Sequence, residues 1–86
     1  MAYDLVWHEK VKSDLASLTK EEASRVIASV KDRLVRDPAV LGKPLKGILK
    51  GLFRYRVGPY RVIYAIDYAE RRVIILHVRH RKDAYR

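Results

Sequence analysis

The stretch that most constrains the fold covers residues 53–64, where aromatic and β-branched residues alternate with arginines on both sides of Gly58 and Pro59. Such alternation is typical of two antiparallel strands joined by a tight turn. Glycine at the first turn position favours a type II′ turn with a two-residue loop. The sequence therefore predicts a β-hairpin in which Val57 lies directly opposite Tyr60.

This register divides the hairpin side chains between the two faces of the sheet, because successive residues of a strand point to opposite sides. One face is predicted to carry Phe53, Tyr55, Val57, Tyr60, Val62 and Tyr64. The other carries Arg54, Arg56 and Arg61, with Arg56 opposite Arg61. A single arginine on such a face would indicate a solvated surface. Like charges directly across a ladder destabilise a sheet, so a forced pair with a third arginine beside it indicates a surface that receives an anion.

The net charge of +9 lies entirely in the second half of the chain. Residues 1–42 hold seven basic and seven acidic residues, whereas residues 43–86 hold twelve basic residues and three acidic ones. This asymmetry points to a polyanionic partner, either a nucleic acid or an acidic protein.

Composition also excludes several classes of protein. The 86 residues contain no cysteine, which excludes disulfides and thiolate chemistry. The first residues lack the pattern of a signal peptide, and the apolar runs are too short to span a bilayer, so we expect a cytoplasmic protein without membrane association. His77 and His80 lie three apart on a predicted strand and point to opposite faces. We therefore expect no metal site and no cofactor.

The order of the predicted elements is β-α-α-β-β-β. Residues 3–7 alternate as a first strand, and apolar residues at helical spacing predict a short helix from His8. A longer helix follows Thr19, which forms a capping box with Glu22, and ends before Asp37-Pro38. The two helices are predicted to form an antiparallel hairpin with a structural role. On the first helix, we expect Lys10, Lys12 and Asp14 to form a solvated polar face.

Residues 40–51 are predicted to be a loop, because glycines and a proline interrupt them. The loop contains Lys43, Lys46 and Lys50. These lysines could bind along a phosphate backbone or simply keep the loop soluble. Residues 73–78 then predict a central strand with two apolar faces. The parity of this strand stays open. If Ile74, Leu76 and Val78 face the helices, the side chains that share the face of the hairpin arginines are His77, Arg79 and Arg81.

These segments resemble the RelE family, toxins of type II toxin–antitoxin systems within the RelE/ParE superfamily. The most specific parts are the strand Tyr60-Arg61-Val62-Ile63-Tyr64 and the ending His80-Arg81-Lys82-Asp83-Ala84-Tyr85-Arg86. Leu45-Lys46-Gly47 and Phe53-Arg54-Tyr55-Arg56-Val57-Gly58 also match. The resemblance covers nearly the whole chain. It implies one RelE-like α+β domain over residues 1–86, with the helix hairpin packed on a mainly antiparallel twisted sheet.

Members similar to RelE cut mRNA in the ribosomal A site by attack of the 2′-hydroxyl, without a metal. The resemblance therefore implies a ribosome-dependent endoribonuclease, or mRNA interferase, that inhibits translation and is neutralised by an acidic RelB-like antitoxin. By position, it assigns catalytic roles to Arg54, Arg56, Arg61, Arg81 and Tyr85, with Tyr85 stacking on a substrate base. We expect further RNA contacts from Lys43, Lys46, Lys50, Arg79 and Lys82.

One departure concerns proton transfer. The best-known member has lysines at the positions of Arg54 and Arg56, and an arginine stays protonated where a lysine can exchange a proton. His80 is the natural substitute, because imidazole exchanges protons near neutral pH, and Tyr85 is the second candidate. The alternatives to a nuclease are a ParE-like inhibitor that acts by binding DNA gyrase and a plain RNA-binding module.

Overall fold

In the computed structural model, which describes residues 2–82, a five-stranded sheet carries helices on one of its faces. The strands are β1 (Asp4–Trp7), β2 (Lys43–Pro44), β3 (Phe53–Val57), β4 (Tyr60–Asp67) and β5 (Arg72–His80). The helices are α1 (Glu9–Ala16), α2 (Lys20–Asp32) and α3 (Pro38–Leu41), with 3₁₀ turns at Leu34–Arg36 and Gly47–Leu49. No helix within the described residues is long and apolar enough to cross a membrane.

The strands lie in the order β1-β5-β4-β3-β2. β1 runs parallel to β5, and every other neighbouring pair is antiparallel. The predicted α+β class with a mainly antiparallel sheet is thus confirmed. The prediction of a loop over residues 40–51 is wrong in part, because α3 extends to Leu41 and β2 pairs with β3 inside that range. Two residues are too few to show an alternating pattern, and Pro44 is tolerated there because β2 is an edge strand.

The hairpin has the predicted register. Val57 lies opposite Tyr60, and Arg56 lies opposite Arg61. Gly58 has a φ of 56°, the left-handed value that the first position of a type II′ turn requires. The two-residue loop therefore determines which side chains of β3 and β4 share a face.

Helices α1 and α2 cover the aromatic face of the hairpin and form the core with it. The buried side chains are Val11, Val26, Val30, Leu34, Tyr55, Val57, Tyr60, Val62, Tyr64, Val73, Ile75 and Val78. The capping box of α2 is confirmed: the Glu22 amide donates to the Thr19 hydroxyl (3.1 Å), and the Thr19 amide donates to the Glu22 carboxylate (3.0 Å). The core contains side chains from α1, α2 and three strands. One face of the sheet is therefore covered by helices, and the other face is open.

Three tyrosine hydroxyls join the sheet to the helical layer, since a buried phenol needs a polar partner. Tyr55 shares a hydrogen bond with Ser29 (2.6 Å), Tyr60 donates to Glu22, and Tyr64 donates to the Pro38 carbonyl (2.5 Å). The tyrosines of the predicted aromatic face therefore contribute hydrogen bonds as well as apolar area.

A β-bulge in β5 resolves the parity that the sequence left open. Tyr64 pairs with Ile75 and Ile63 pairs with His77, so Leu76 is an extra residue on β5. Val73 and Ile75 point to the core before the bulge, and Val78 does so after it. A bulge shifts the alternation by one residue. His77 and Arg79 consequently share the face of the hairpin arginines.

Candidate functional site

Two rows of side chains cross the open face of the sheet. The first row consists of Arg56, Arg61 and Arg79 on β3, β4 and β5. The second row consists of Lys43, Arg54, Ile63 and His77 on β2 to β5. Adjacent strands are about 4.8 Å apart, so neighbouring cations of a row can reach the same anionic group. We call the polar members of these rows the basic face: Lys43, Arg54, Arg56, Arg61, His77 and Arg79.

A groove of about 230 Å³ lies at the β2 side of the basic face, lined by Leu41, Lys43, Arg54 and Arg56. Three of these four side chains are cationic, so the groove favours an anionic group. Lys43 lies opposite Arg54 in the β2–β3 pair. The two-residue strand that the sequence did not predict therefore adds one cation to the hairpin arginines.

A buried carboxylate lies at the other side of the basic face. Asp14 of α1 is only 9% exposed. One oxygen, Oδ2, accepts the Val78 amide (3.0 Å), and the other, Oδ1, lies 3.3 Å from the Arg79 guanidinium. β1 ends opposite Ile75, so Asp14 supplies an acceptor to a part of β5 that β1 does not reach.

The prediction that Asp14 is solvated is wrong. Asp14 stands three residues after Val11 and four before Leu18, within the apolar stripe of α1. An acidic residue in an apolar stripe is the pattern from which its burial could have been inferred. A buried charge needs a partner, and Arg79 and the β5 amide provide it.

His77 was not among the predicted site residues, yet it lies on the basic face. Its Nδ1 is 3.9 Å from Oδ2 of Asp14, and its side chain is 45% exposed. The sequence left this location open, because the face on which His77 lies depends on the bulge at Leu76.

His80, the predicted substitute for the acid–base lysines, is not brought together with the arginines. It lies opposite Tyr60 on the face that the helices cover. The two rings are in edge-to-face contact, with centroids 5.4 Å apart. Nδ1 of His80 accepts the Lys82 amide (3.2 Å). These contacts tie His80 to the structure on the far side of the sheet.

The remaining predicted residues lie around or beyond the basic face. Arg81 follows β5 and donates its amide to the Pro59 carbonyl (2.8 Å), so its backbone lies beside the hairpin turn. Lys82 is exposed, as are Lys46 and Lys50 at the two ends of the 3₁₀ turn Gly47–Leu49. Tyr85 lies outside the described residues. Within residues 2–82, no three His, Asp or Glu side chains are grouped so that they could hold a metal ion.

Comparisons of sequence agree with this architecture. The family model described as the ParE toxin of type II toxin–antitoxin systems matches residues 5–85. Toxin RelG of Mycobacterium tuberculosis is 37% identical over 86 residues, which are 100% of this chain and 99% of the relative. Toxin RelE of the same organism is 42% identical over 73 residues, covering 85% of this chain and 75% of that toxin.

Solved structures agree as well. The toxin–antitoxin complex RelBE2 from Mycobacterium tuberculosis contains a chain that matches with a TM-score of 0.90 and 34% identity, over 93% of this chain and 99% of that one. The archaeal RelE–RelB complex from Pyrococcus horikoshii OT3 gives a TM-score of 0.73 and 30% identity, over 98% and 100%. With the family model spanning nearly the whole sequence, this chain belongs to the ParE toxin family of type II toxin–antitoxin systems, within the RelE/ParE superfamily.

Proposed function

We propose that this toxin is a ribosome-dependent endoribonuclease that cuts mRNA in the A site and thereby inhibits translation. The observation that carries the proposal is the row of Arg56, Arg61 and Arg79, which places three arginines on neighbouring strands of the open face. A sheet accepts such a row of like charges only at a cost in stability. Binding of a phosphodiester offsets that cost.

The chemistry proposed for this face is attack of the RNA 2′-hydroxyl on the adjacent phosphorus. A bond forms between the 2′ oxygen and phosphorus, the bond from phosphorus to the 5′ oxygen breaks, and the products are a cyclic phosphate and a 5′-hydroxyl. The phosphodiester carries one negative charge before the reaction and nearly two at the pentacoordinate stage. The guanidiniums therefore bind the transition state more tightly than the ground state, which lowers the barrier.

The partner proposed for control of the toxin is an acidic antitoxin. Two of the similar solved chains are in complexes with antitoxins, RelBE2 and archaeal RelE–RelB. The net charge of +9 and the basic face favour a partner segment rich in Asp and Glu. Such a segment would cover the same cations that bind RNA.

A second candidate function is inhibition of DNA gyrase by binding, because the matching family model is named for ParE toxins. The two functions differ in their products. The nuclease leaves cut mRNA on ribosomes, whereas the inhibitor leaves mRNA intact and reduces DNA supercoiling by purified gyrase.

The test is single-turnover cleavage of ribosome-bound mRNA by the wild-type protein and by Arg61→Ala. Losing one donor to developing negative charge typically lowers the rate about 100- to 1,000-fold, and we expect a loss of that order. The melting temperature should change little, because the substitution also removes a like charge from between Arg56 and Arg79.

Arg25→Ala is the matched control, since Arg25 is an exposed arginine on α2, behind the covered face. It should cleave at the wild-type rate. Cleavage by Arg61→Ala at that same rate would refute the role of Arg61. Intact mRNA with wild-type toxin, together with inhibited gyrase, would establish the second candidate instead.

A further inference from the structure

We infer that His77, oriented by Asp14, is the residue that moves protons in this cleavage. The inference rests on the proposed nuclease function and names a residue that neither the resemblance nor the predicted site contains. Its basis is the juxtaposition of an imidazole, a buried carboxylate and a row of guanidiniums on one open face.

The position of His77 relative to the arginines follows from the register. His77 lies opposite Ile63 on β4, and Arg79 lies opposite Arg61. His77 and Arg61 are therefore diagonal neighbours, whose Cα atoms are about 7–8 Å apart. Both side chains are long enough to approach one phosphodiester from adjacent strands.

Asp14 gives the imidazole a defined orientation. Nδ1 of His77 faces Oδ2 of Asp14 at 3.9 Å. The same oxygen accepts the Val78 amide at 3.0 Å, so the backbone of β5 holds the carboxylate in place. The distance to Nδ1 exceeds that of a hydrogen bond, and catalytic contacts of this kind commonly tighten when substrate binds. With Nδ1 turned toward Asp14, Nε2 is the ring nitrogen left for the substrate.

The arginines of the basic face and His80 are unsuited to proton transfer in this site. The arginines stay protonated at any working pH. His80 lies on the helix-covered face, and its Nδ1 already accepts the Lys82 amide. The charged groups that face His77 are Asp14 from α1, Arg79 from β5 and Arg61 from β4.

The proposed step conserves atoms and charge. Neutral His77 accepts the proton of the 2′-hydroxyl on Nε2 as the 2′ oxygen bonds to phosphorus. The electron pair of the bond between phosphorus and the 5′ oxygen leaves with that oxygen, which then takes a proton from the imidazolium or from solvent. Asp14 stabilises the imidazolium in between. No water, metal or other reactant is consumed.

The experiment compares three equivalent substitutions, His77→Asn, His80→Asn and His8→Asn, in single-turnover cleavage of ribosome-bound mRNA across pH 5 to 9. Asparagine at position 77 keeps a donor toward Asp14 but cannot exchange a proton. General acid–base catalysis typically contributes about 100- to 10,000-fold, so we expect a loss in that range for His77→Asn, with mRNA affinity and melting temperature retained. The wild-type rate should depend on pH, and the rate of His77→Asn should depend on it less, because asparagine cannot exchange a proton.

The other two histidine variants distinguish a specific effect from a general one. His8 caps α1 by accepting the Lys10 amide, and asparagine caps helices well. His8→Asn should therefore cleave like the wild type. The fold-loss in cleavage rate for His80→Asn should be at least ten times smaller than the fold-loss for His77→Asn. A larger loss in His80→Asn would overturn the inference in favour of His80.

Asp14→Asn supplies a second, independent variant. The amide oxygen can still accept the Val78 N–H, so the edge of β5 stays closed, but the negative charge beside Nδ1 is gone. We expect a slower rate and a pH profile that differs from that of the wild type. If the wild-type protein cleaves mRNA but neither Asp14→Asn nor His77→Asn changes the pH profile, the role of His77 is refuted and the proposed nuclease function is not. Absence of cleavage by the wild-type protein would refute the proposed function, and the inference with it.

Discussion

At the scale of single residues, the contact between Tyr60 and Glu22 shows how one side chain serves two purposes. Glu22 closes the capping box of α2 and also accepts the hydroxyl of Tyr60 from the sheet. The Tyr60 hydrogen bond, followed by the bonds with Thr19, lowers the pKa of Glu22 below its usual 4.5. The same hydrogen bond raises the pKa of Tyr60.

This lowered pKa predicts a pH dependence of stability. A carboxylate whose pKa is lower in the folded than in the unfolded state stabilises the fold above the unfolded pKa, and that contribution is lost as the pH falls below it. Tyr60→Phe removes the largest cause of the shift. Its melting temperature should therefore fall less than that of the wild type between pH 7 and pH 3.

The control for this measurement is Tyr68→Phe, which removes a hydroxyl from an exposed side chain. Tyr68→Phe should follow the wild-type curve over the same pH range. If Tyr60→Phe loses as much melting temperature on acidification as the wild type, the Tyr60 hydroxyl does not set the pKa of Glu22.

At the scale of elements, the junction between α3 and β2 depends on a close approach at Gly42. A Cβ atom there would lie 1.8 Å from the Tyr64 hydroxyl and 3.0 Å from the Arg54 carbonyl oxygen. The backbone of Gly42 is extended, with a φ of −99°, so space rather than conformation requires glycine. Tyr64 is fully buried and hydrogen-bonded to Pro38, and its burial raises its pKa.

Gly42→Ala should consequently destabilise the protein by about 1–3 kcal/mol, the usual cost of overpacking, measured by urea unfolding. In a Tyr64→Phe background the shortest clash disappears, although the ring carbon at 2.8 Å remains. The cost of Gly42→Ala should therefore be smaller there. An equal cost in both backgrounds would mean that Tyr64 does not restrict this junction.

The bulge at Leu76 is the second element-scale feature that decides the site. It lets β5 bury Val73 and Ile75 before it and Val78 after it. Without the extra residue, alternation would turn Arg79 toward the core, where an arginine is rarely accommodated. The arginine row across three strands therefore depends on one irregularity in the ladder.

At the scale of the whole molecule, the net charge and the types of secondary structure are both divided between the two halves of the chain. Residues 1–42 have no net charge and supply the three helices, whereas residues 43–86 carry the whole surplus of +9 and supply the four strands β2 to β5. Helices from the half without net charge thus cover one face of the sheet, and Lys43, Arg54, Arg56, Arg61 and Arg79 lie on the other. Such a one-sided surface is suited to binding a polyanion.

This division predicts a salt dependence for RNA binding. Each phosphate contact with single-stranded RNA lowers the slope of log K against log salt concentration by about 0.7. Five contacts from the basic face and its surroundings would give a slope of about −3.5. Arg56→Ala should make the slope less steep by about 0.7, and Arg25→Ala should leave it unchanged. Equal slopes in all three proteins, or a flat response, would contradict electrostatic binding by this face.

The sequence by itself determined the features that depend on neighbouring residues. The hairpin register follows from a two-residue loop with Gly58, so the placement of Arg54, Arg56 and Arg61 on one face could be predicted. The capping box at Thr19 and the apolar stripe of α2 follow from residues within four positions of one another. The catalytic roles of the three arginines stay predictions.

Only the tertiary structure decided the features that depend on distant partners. β2 exists because two residues pair with β3, and the bulge exists because β5 must match β4. Asp14 is buried because α1 packs beside the part of β5 that β1 does not reach. These contacts also place His77, and not His80, on the basic face. Pairing between strands is set by packing over long separations in sequence, and local alternation cannot reveal where it breaks.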